Sequence, residues 1–201
     1  MAREWVRVIA VRVSEQATYL GELDGAIGDG DHGGNLDRGF AAAVGKLDRT
    51  TDSAREVLTA TGGALISAVG GASGPLYGTY FRKLARALPE HGGASAAELG
   101  AALQVGVDGV RALGGAAEGD KTMVDALVPA AAAFAETATD GLPAAAVAAA
   151  EAARRGADAT VPLRARKGRA SYLGERSEGH LDPGAASSAL VLAALAEVVG
   201  G

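Results

Sequence analysis

The stretch Asp24-Gly25-Ala26-Ile27-Gly28-Asp29-Gly30-Asp31-His32-Gly33-Gly34-Asn35 decides how this sequence is read, because it sets three carboxylates among glycines between two helical patterns. Asp24, Asp29 and Asp31 fall within eight positions, with Gly25, Gly28, Gly30, Gly33 and Gly34 threaded around them. Glycine packs nothing and costs conformational entropy, so this density supplies backbone freedom. A loop of that kind folds tightly and can turn several acids towards one point. Two unit charges about 4 Å apart at an effective dielectric near 20 repel by about 4 kcal/mol. A converged cluster therefore needs a cation, and all-oxygen donors select a hard one, Mg²⁺ ahead of Zn²⁺. The same residues also suit a solvated acidic turn with splayed side chains.

Three familiar motifs are approached and missed. Gly28, Gly30 and Gly33 match G-x-G-x-x-G, but the dinucleotide fingerprint needs a preceding strand, and Ser14 to Asp24 is polar and helix-like. Asp29 and Asp31 would also set bare negative charge against a pyrophosphate. An EF-hand counted from Asp29 would need a bidentate Glu at its twelfth position, where Phe40 stands. Gly114 and Gly119 open a G-x-x-x-x-G, but Asp120 intervenes before Lys121-Thr122, and a P-loop needs the lysine directly after the glycine.

Working outward, helical periodicity accounts for nearly all of the chain. Arg3 to Leu20 carries Trp5, Val6, Ile9, Val13, Ala17 and Leu20 on one stripe, and Asn35 to Lys46 reads as a second helix. The free N–H groups at the start of that second helix, from about His32 to Asn35, suit a phosphate. Asp52 or Ser53 caps a third helix ending near Val69, and Gly70-Gly71-Ala72-Ser73-Gly74-Pro75 leads into a fourth ending near Leu88. Those glycines form a second potential anion cradle or a plain connection. Ser95, with Glu98 three residues on, forms a capping box for a fifth helix. Asp120 is expected to start a sixth helix, kinked at Pro129. A seventh, Ala-rich helix covers Ala144 to Asp158. Asp182-Pro183 caps an eighth, Gly184 to Val198.

Thr160 to Leu181 lacks periodicity and holds Arg164, Arg166, Lys167 and Arg169. A loop this long in a compact domain is usually functional or disordered; its cations suit a solvated patch or a phosphate clamp. The expected fold is all-α, one domain over 1–201 without a linker or a convincing strand. Short connections make sequential helices antiparallel. The joints at 25–34, 70–74, 114–119 and 168–184 all follow odd-numbered helices, so an up-and-down arrangement brings them to one end.

The chain has 201 residues, 48% hydrophobic but only 4% aromatic, so the core is built from Ala, Val and Leu. A formal net charge of −5 argues against general binding to nucleic acid or anionic membrane. There is no Cys, hence no disulfide framework and no thiolate chemistry. Met-Ala-Arg-Glu-Trp has charges where a signal peptide's apolar region would begin, and no uninterrupted apolar run of spanning length is evident. A cytoplasmic protein is expected.

Taken together, six segments resemble the DhaL family, the nucleotide-binding L subunits of bacterial dihydroxyacetone kinases. They are Leu23-Asp24 with Ile27 to Gly33, Asn35 with Arg38-Gly39-Phe40, Gly70 to Leu76, Gly119 to Met123, Ala165 to Ser177, and Gly179-His180 with Asp182 to Gly184. The resemblance implies an eight-helix antiparallel barrel with ADP or ATP and two Mg²⁺ at one end. It implies that Asp24, Asp29 and Asp31 hold the metals and that Arg169 reaches the phosphates. His32, Gly33, Gly34 and Asn35 would lie beside phosphates and ribose, and Ala72 and Ser73 would contact phosphate. Gly114 and Met123 would line the nucleoside, with Asp182, Pro183 and Gly184 near base and sugar. The family's γ-phosphoryl passes to dihydroxyacetone on a separate K subunit, and a phosphohistidine M subunit of the phosphotransferase system recharges the nucleotide. Alternatives are free exchange of ATP, a related ketose or tetrose substrate, or a regulatory module that engages a transcription regulator. Leu36 stands where a Met is frequent and Glu118 where a Pro is frequent, which leaves the sugar open.

Overall fold

A computed structural model describes residues 1–48, 50 and 53–200. Among the described residues the chain is all-α, with nine α-helices and two 3₁₀ runs: α1 Ala2–Glu15, α2 Ala17–Ile27, α3 His32–Leu47, α4 Ala54–Ala68, α5 Ser73–Ala87, α6 Ala96–Gly114, α7 Val124–Thr137, α8 Leu142–Asp158 and α9 Pro183–Gly200. Asp52, expected as a cap of α4, lies outside the described residues; Ser53 occupies that N-cap.

The expected first helix is two. The chain breaks at Gln16, whose φ of −109° and ψ of 9° leave the helical region. Its N–H is shared between the carbonyls of Arg12 and Val13. The break lets α1 pack on α3, α4 and α9, while α2 packs on α3 and α9 and carries Asp24 in its last turn. The sixth expected helix starts later than Asp120. Asp125 takes the N–H groups of Gly119 (2.5 Å) and Thr122 (2.7 Å), which holds 119–122 as a turn and delays α7 to Val124. Pro129 sits inside α7 without ending it. The stretch 160–181 is not structureless, since it contains the 3₁₀ run Arg169–Ser177.

Each of α3 to α9 packs on its neighbour in sequence, α1 packs on α3, and α9 returns to α1 to close the ring. Leaving aside α2, which rests on α3 and α9 with only Leu20 and Ile27 buried, eight helices make the circuit, in keeping with the expected barrel. Trp5, Phe40, Tyr77, Tyr80 and Phe81 gather in one sector. Phe81 meets the edges or faces of Trp5, Phe40 and Tyr80 at centroid distances of 5.7, 6.1 and 5.4 Å. Opposite, α7 and α8 meet through alanines, and a Cβ on Gly156 would fall 2.1 Å from the Asp125 carbonyl oxygen. Small side chains there let helix backbones nearly touch.

Helix α9, over Pro183–Gly200, is long and apolar enough by length and composition to cross a membrane, but Ser187, Ser188 and Glu197 interrupt it, so it is not an uninterrupted apolar run. It packs against α1, α7 and α8 and buries Val191, Leu192, Ala194 and Leu195 in the ring.

Candidate nucleotide and metal site

The joints α2–α3, α4–α5, α6–α7 and α8–α9 gather at one end of the ring around a cavity of about 290 Å³. The first residues of α3, α5, α7 and α9 (His32, Ser73, Val124 and Pro183) all line it. Helix starts carry unpaired N–H groups and partial positive charge. Four aimed at one space favour a polyanion, and the sequence had suggested only two.

Asp24, Asp29 and Asp31 converge at the rim, each offering an oxygen within 4.8 Å of the others. Asp24 is fixed by the turn it faces: its Oδ2 accepts from the N–H of Asp31 (3.0 Å) and of His32 (3.2 Å). Gly28 is required there, because a Cβ on it would lie 2.2 Å from Asp24 Oδ1. Gly30, at φ 76°, turns the chain so that Asp31 follows Asp29 back to the cluster. Two oxygens on one Mg²⁺ at about 2.0–2.1 Å lie at most about 4 Å apart. The observed spread is close to that, and the donor set is all hard oxygen. The donor set therefore suits Mg²⁺, with the oxygens drawing somewhat closer around a single ion.

Arg169 reaches the same place from the 160–181 segment, its Nη2 lying 3.0 Å from Asp29 Oδ2. Lys167 and Gly168 line the cavity beside it, whereas Arg164 turns outward to Glu175. Of the four cations at 164–169, Lys167 and Arg169 line the site.

His32 bridges α5 and α9. Its Nδ1 lies 3.0 Å from Ser73 Oγ and its Nε2 2.9 Å from Ser187 Oγ, and Tyr77 extends the chain with its OH 2.7 Å from Ser187 Oγ. Burial lowers the His32 pKa, partly opposed by Asp24 and Asp31, so the ring tends to neutrality. Burial pushes the Tyr77 phenol up to about 12. With both ring nitrogens engaged by hydroxyls, His32 is built to orient Ser73 rather than to carry a phosphoryl group.

Asp182 caps α9 through Ala185 N–H (2.7 Å), as expected from the Asp-Pro pair. Its burial pushes its pKa up to about 7, with nearby Asp125 adding to the rise and Lys121 opposing it. Gly114, Met123, Pro183 and Gly184 line the cavity, as do Ala72 and Ser73. Leu76, Val110 and Ala116 add an apolar wall on the α5–α6 side.

Three residues of the expected set have other surroundings. Gly33 is buried against α2, where a Cβ would come within 1.9 Å of the Ala17 carbonyl oxygen. Gly34 is exposed beside Arg38. Asn35 is buried, accepts from Arg38, and lies against Gly70. All three sit in the first turn of α3, next to the cavity lining rather than in it. The reading of the sequence missed Tyr77, Ser187 and Lys121. The Ser187-Ser188 pair in the largely apolar first half of α9 was the available signal for the first two.

A model of the DAK2 domain matches residues 26–197. The chain belongs to the DAK2 domain family. This DAK2 domain is 45% identical over 186 residues to the ADP-binding subunit DhaL of the PEP-dependent dihydroxyacetone kinase of Escherichia coli (strain K12), covering 91% of this chain and 89% of that one. It is 41% identical to L-erythrulose 1-kinase of Mycolicibacterium smegmatis, covering 92% of this chain but 33% of the longer enzyme. It superposes on the crystal structure of the dihydroxyacetone kinase from C. freundii in complex with AMP-PNP and Mg²⁺, with a TM-score of 0.74 and 30% identity over 98% of this chain and 33% of that one.

Proposed function

We propose that this chain is the nucleotide-holding subunit of a dihydroxyacetone kinase, one domain over 1–201 that carries ADP or ATP with Mg²⁺ and yields the γ-phosphoryl group to a ketose. The observation that carries the reading is the convergence of Asp24, Asp29 and Asp31 on a cavity ringed by four helix starts. The relatives support it by name: the E. coli relative is an ADP-binding subunit, and the C. freundii kinase was solved with AMP-PNP and Mg²⁺.

The three carboxylates would hold Mg²⁺, which would supply positive charge to neutralise the phosphates of a bound nucleotide. The helix starts of α3 and α5 give N–H groups to phosphate oxygens. Ser73, held by His32, adds a hydroxyl donor. Arg169 exchanges its partner Asp29 for phosphate, or bridges both, and stabilises charge on the transferring group. Gly33, Gly34 and Asn35 support this first turn of α3 beside phosphate and ribose. Gly114, Met123, Asp182, Pro183 and Gly184 receive the nucleoside against the apolar wall. Phosphoryl transfer asks for positioning and charge neutralisation more than covalent chemistry. No nucleophile is needed from this chain.

The acceptor sits on a K subunit, and a phosphohistidine M-type protein restores ATP from bound ADP, all in the cytoplasm. Recharging by that protein is preferred to exchange with free ATP because the E. coli relative is PEP-dependent. The likeness to L-erythrulose 1-kinase keeps a tetrose as an alternative acceptor. Engagement of a transcription regulator is a further partner reading.

Isothermal titration of nucleotide-free protein with ADP in the presence and absence of Mg²⁺ tests the reading. Tight binding that depends on Mg²⁺ and is lost in Asp29→Asn is expected. Binding of ADP unaffected by Mg²⁺ and by that substitution would remove the proposal.

A further inference from the structure

Lys121 lines the cavity and follows the glycines at 114–119, so a direct phosphate contact is its obvious role. Its hydrogen bonds point elsewhere. The side chain is buried, and Nζ donates to the carbonyl oxygens of Thr160 (2.8 Å), Val161 (3.4 Å) and His180. An ammonium has three N–H donors, and these three acceptors use them all. The acceptors come from both ends of one excursion: 160 and 161 where the chain leaves α8, 180 where it returns to α9. Between them the segment carries Lys167, Gly168 and Arg169 to the cavity.

Other bonds close the same neck. Gly179 N–H donates to Val161 O (2.8 Å), and Asp182 N–H donates to Thr160 Oγ1 (3.0 Å). Arg166 N–H reaches across to Asp120 O (3.0 Å), tying the excursion to the turn that bears Lys121. Lys121 itself has a φ of 60°, an arrangement uncommon outside glycine. Asp125 holds that turn by taking the N–H groups on either side of it, from Gly119 and Thr122. A buried cation on a left-handed backbone is disfavoured twice over, so the contacts it makes must hold it there.

We infer that Lys121 is a positioning residue that pins the neck of the 160–181 excursion and so sets Arg169 at the phosphate end of the cavity, without touching phosphate itself. This rests on the nucleotide site proposed above. The role predicts that Lys121 acts on nucleotide binding through Arg169, so that the two effects are not independent.

The test is a double-mutant cycle on ADP affinity at saturating Mg²⁺, with Lys121→Met, Arg169→Ala and the double variant. Each single change is expected to weaken binding roughly tenfold, the scale of one charge-assisted bond, and the double variant should bind no more weakly than Arg169→Ala. Penalties that multiply would show Lys121 acting on its own and overturn the inference. Hydrogen exchange on nucleotide-free protein gives an independent readout: the amides of Arg166, Gly179 and Asp182 should exchange faster in Lys121→Met. Unchanged protection would also overturn it. Thr160→Val cuts the neck bond to Asp182 and leaves Lys121 in place. It should show the same non-additivity with Arg169→Ala, and it takes over the cycle if Lys121→Met does not fold. If wild-type protein fails to bind ADP with Mg²⁺, the site reading falls, whereas the exchange comparison still decides the role of the neck.

Discussion

The two ends of the helical ring are built by opposite rules. At the far end, joints are ordinary. Ser95 and Glu98 close a complete capping box on α6, Arg55 reaches from α4 to Glu90 (2.6 Å) and to the Arg86 carbonyl, and Arg3 bonds the Leu47 carbonyl at the end of α3. The ends of α3, α5 and α6 there are satisfied by neighbouring groups. At the site end, neither α3 nor α5 is capped by its own N-cap side chain, although Asp24 takes the His32 N–H and Asp182 caps α9. Three acids crowd together, glycines press helices against each other, and a lysine takes a left-handed backbone. One end is optimised for its own stability; the other leaves donors and charges for a ligand to complete.

Substitutions at the two ends should therefore separate binding from stability. The largest effect is expected from Asp24→Ala, which removes both a cation ligand and the acceptor for the Asp31 and His32 N–H groups. Titration should show ADP–Mg²⁺ affinity falling on the order of 1,000-fold, or about 4 kcal/mol, and a loss under tenfold would contradict the cluster's role. Asp182 comes next. Its folded pKa of about 7 exceeds the ordinary 3.8, so the folded state keeps a proton that the unfolded chain releases between those values. Stability then declines as pH rises through that window, by on the order of 3 kcal/mol, and levels off above it. Asn can still accept from Ala185 N–H, so Asp182→Asn should flatten this decline in urea titrations of nucleotide-free protein at pH 4.5, 6 and 7.5. Parallel profiles would show the carboxyl to be ionised throughout.

Smaller effects come from a contrast within α3. Gly33, at the site end, admits no Cβ, and Gly33→Ala should cost roughly 2 kcal/mol by forcing α2 from α3. Gly45, near the other end of α3, has nothing within 4 Å of an added Cβ. Gly45→Ala should raise stability by roughly 0.8 kcal/mol, the ordinary helix preference, leaving ADP affinity unchanged. Thermal unfolding of the pair checks the sign. On the far end itself, Ser95→Ala should cost about 1 kcal/mol with no change in nucleotide affinity. A shift in affinity from either far-end variant would show that the ends are coupled.

What the sequence disclosed follows the same division. Features set by short-range chemistry were readable: the Ser95–Glu98 box, Asp182-Pro183 at the start of α9, and acids spaced by glycines at 24–31. The ring's topology was also accessible, since alternation of glycine-rich and ordinary joints sorts the ends. Hidden features depend on distant partners. The break at Gln16 shows no glycine or proline; it goes with distant packing, since α1 also reaches α4 whereas α2 also reaches the 3₁₀ run Arg169–Ser177. Asp120 has the chemistry of a helix cap, but Asp125 competes for the turn's N–H groups and moves the start to Val124. Lys121 was judged by its failure to fit a phosphate loop, and its acceptors lie about forty to sixty residues away, beyond any local pattern. Gly33 was read as a phosphate neighbour from its motif, whereas its tightest contact is with Ala17.

The chain's single tryptophan sits where its N- and C-terminal helices meet: Trp5 in α1 donates its indole N–H to the Val191 carbonyl in α9 (2.9 Å) and stacks edge-on against Phe81. Intrinsic fluorescence is thus a natural reporter of circuit closure, monitored from the sector farthest in composition from the alanine-lined side. Followed alongside nucleotide release on heating, its emission would tell whether the molecule first drops its cargo and then opens, or does both in one event.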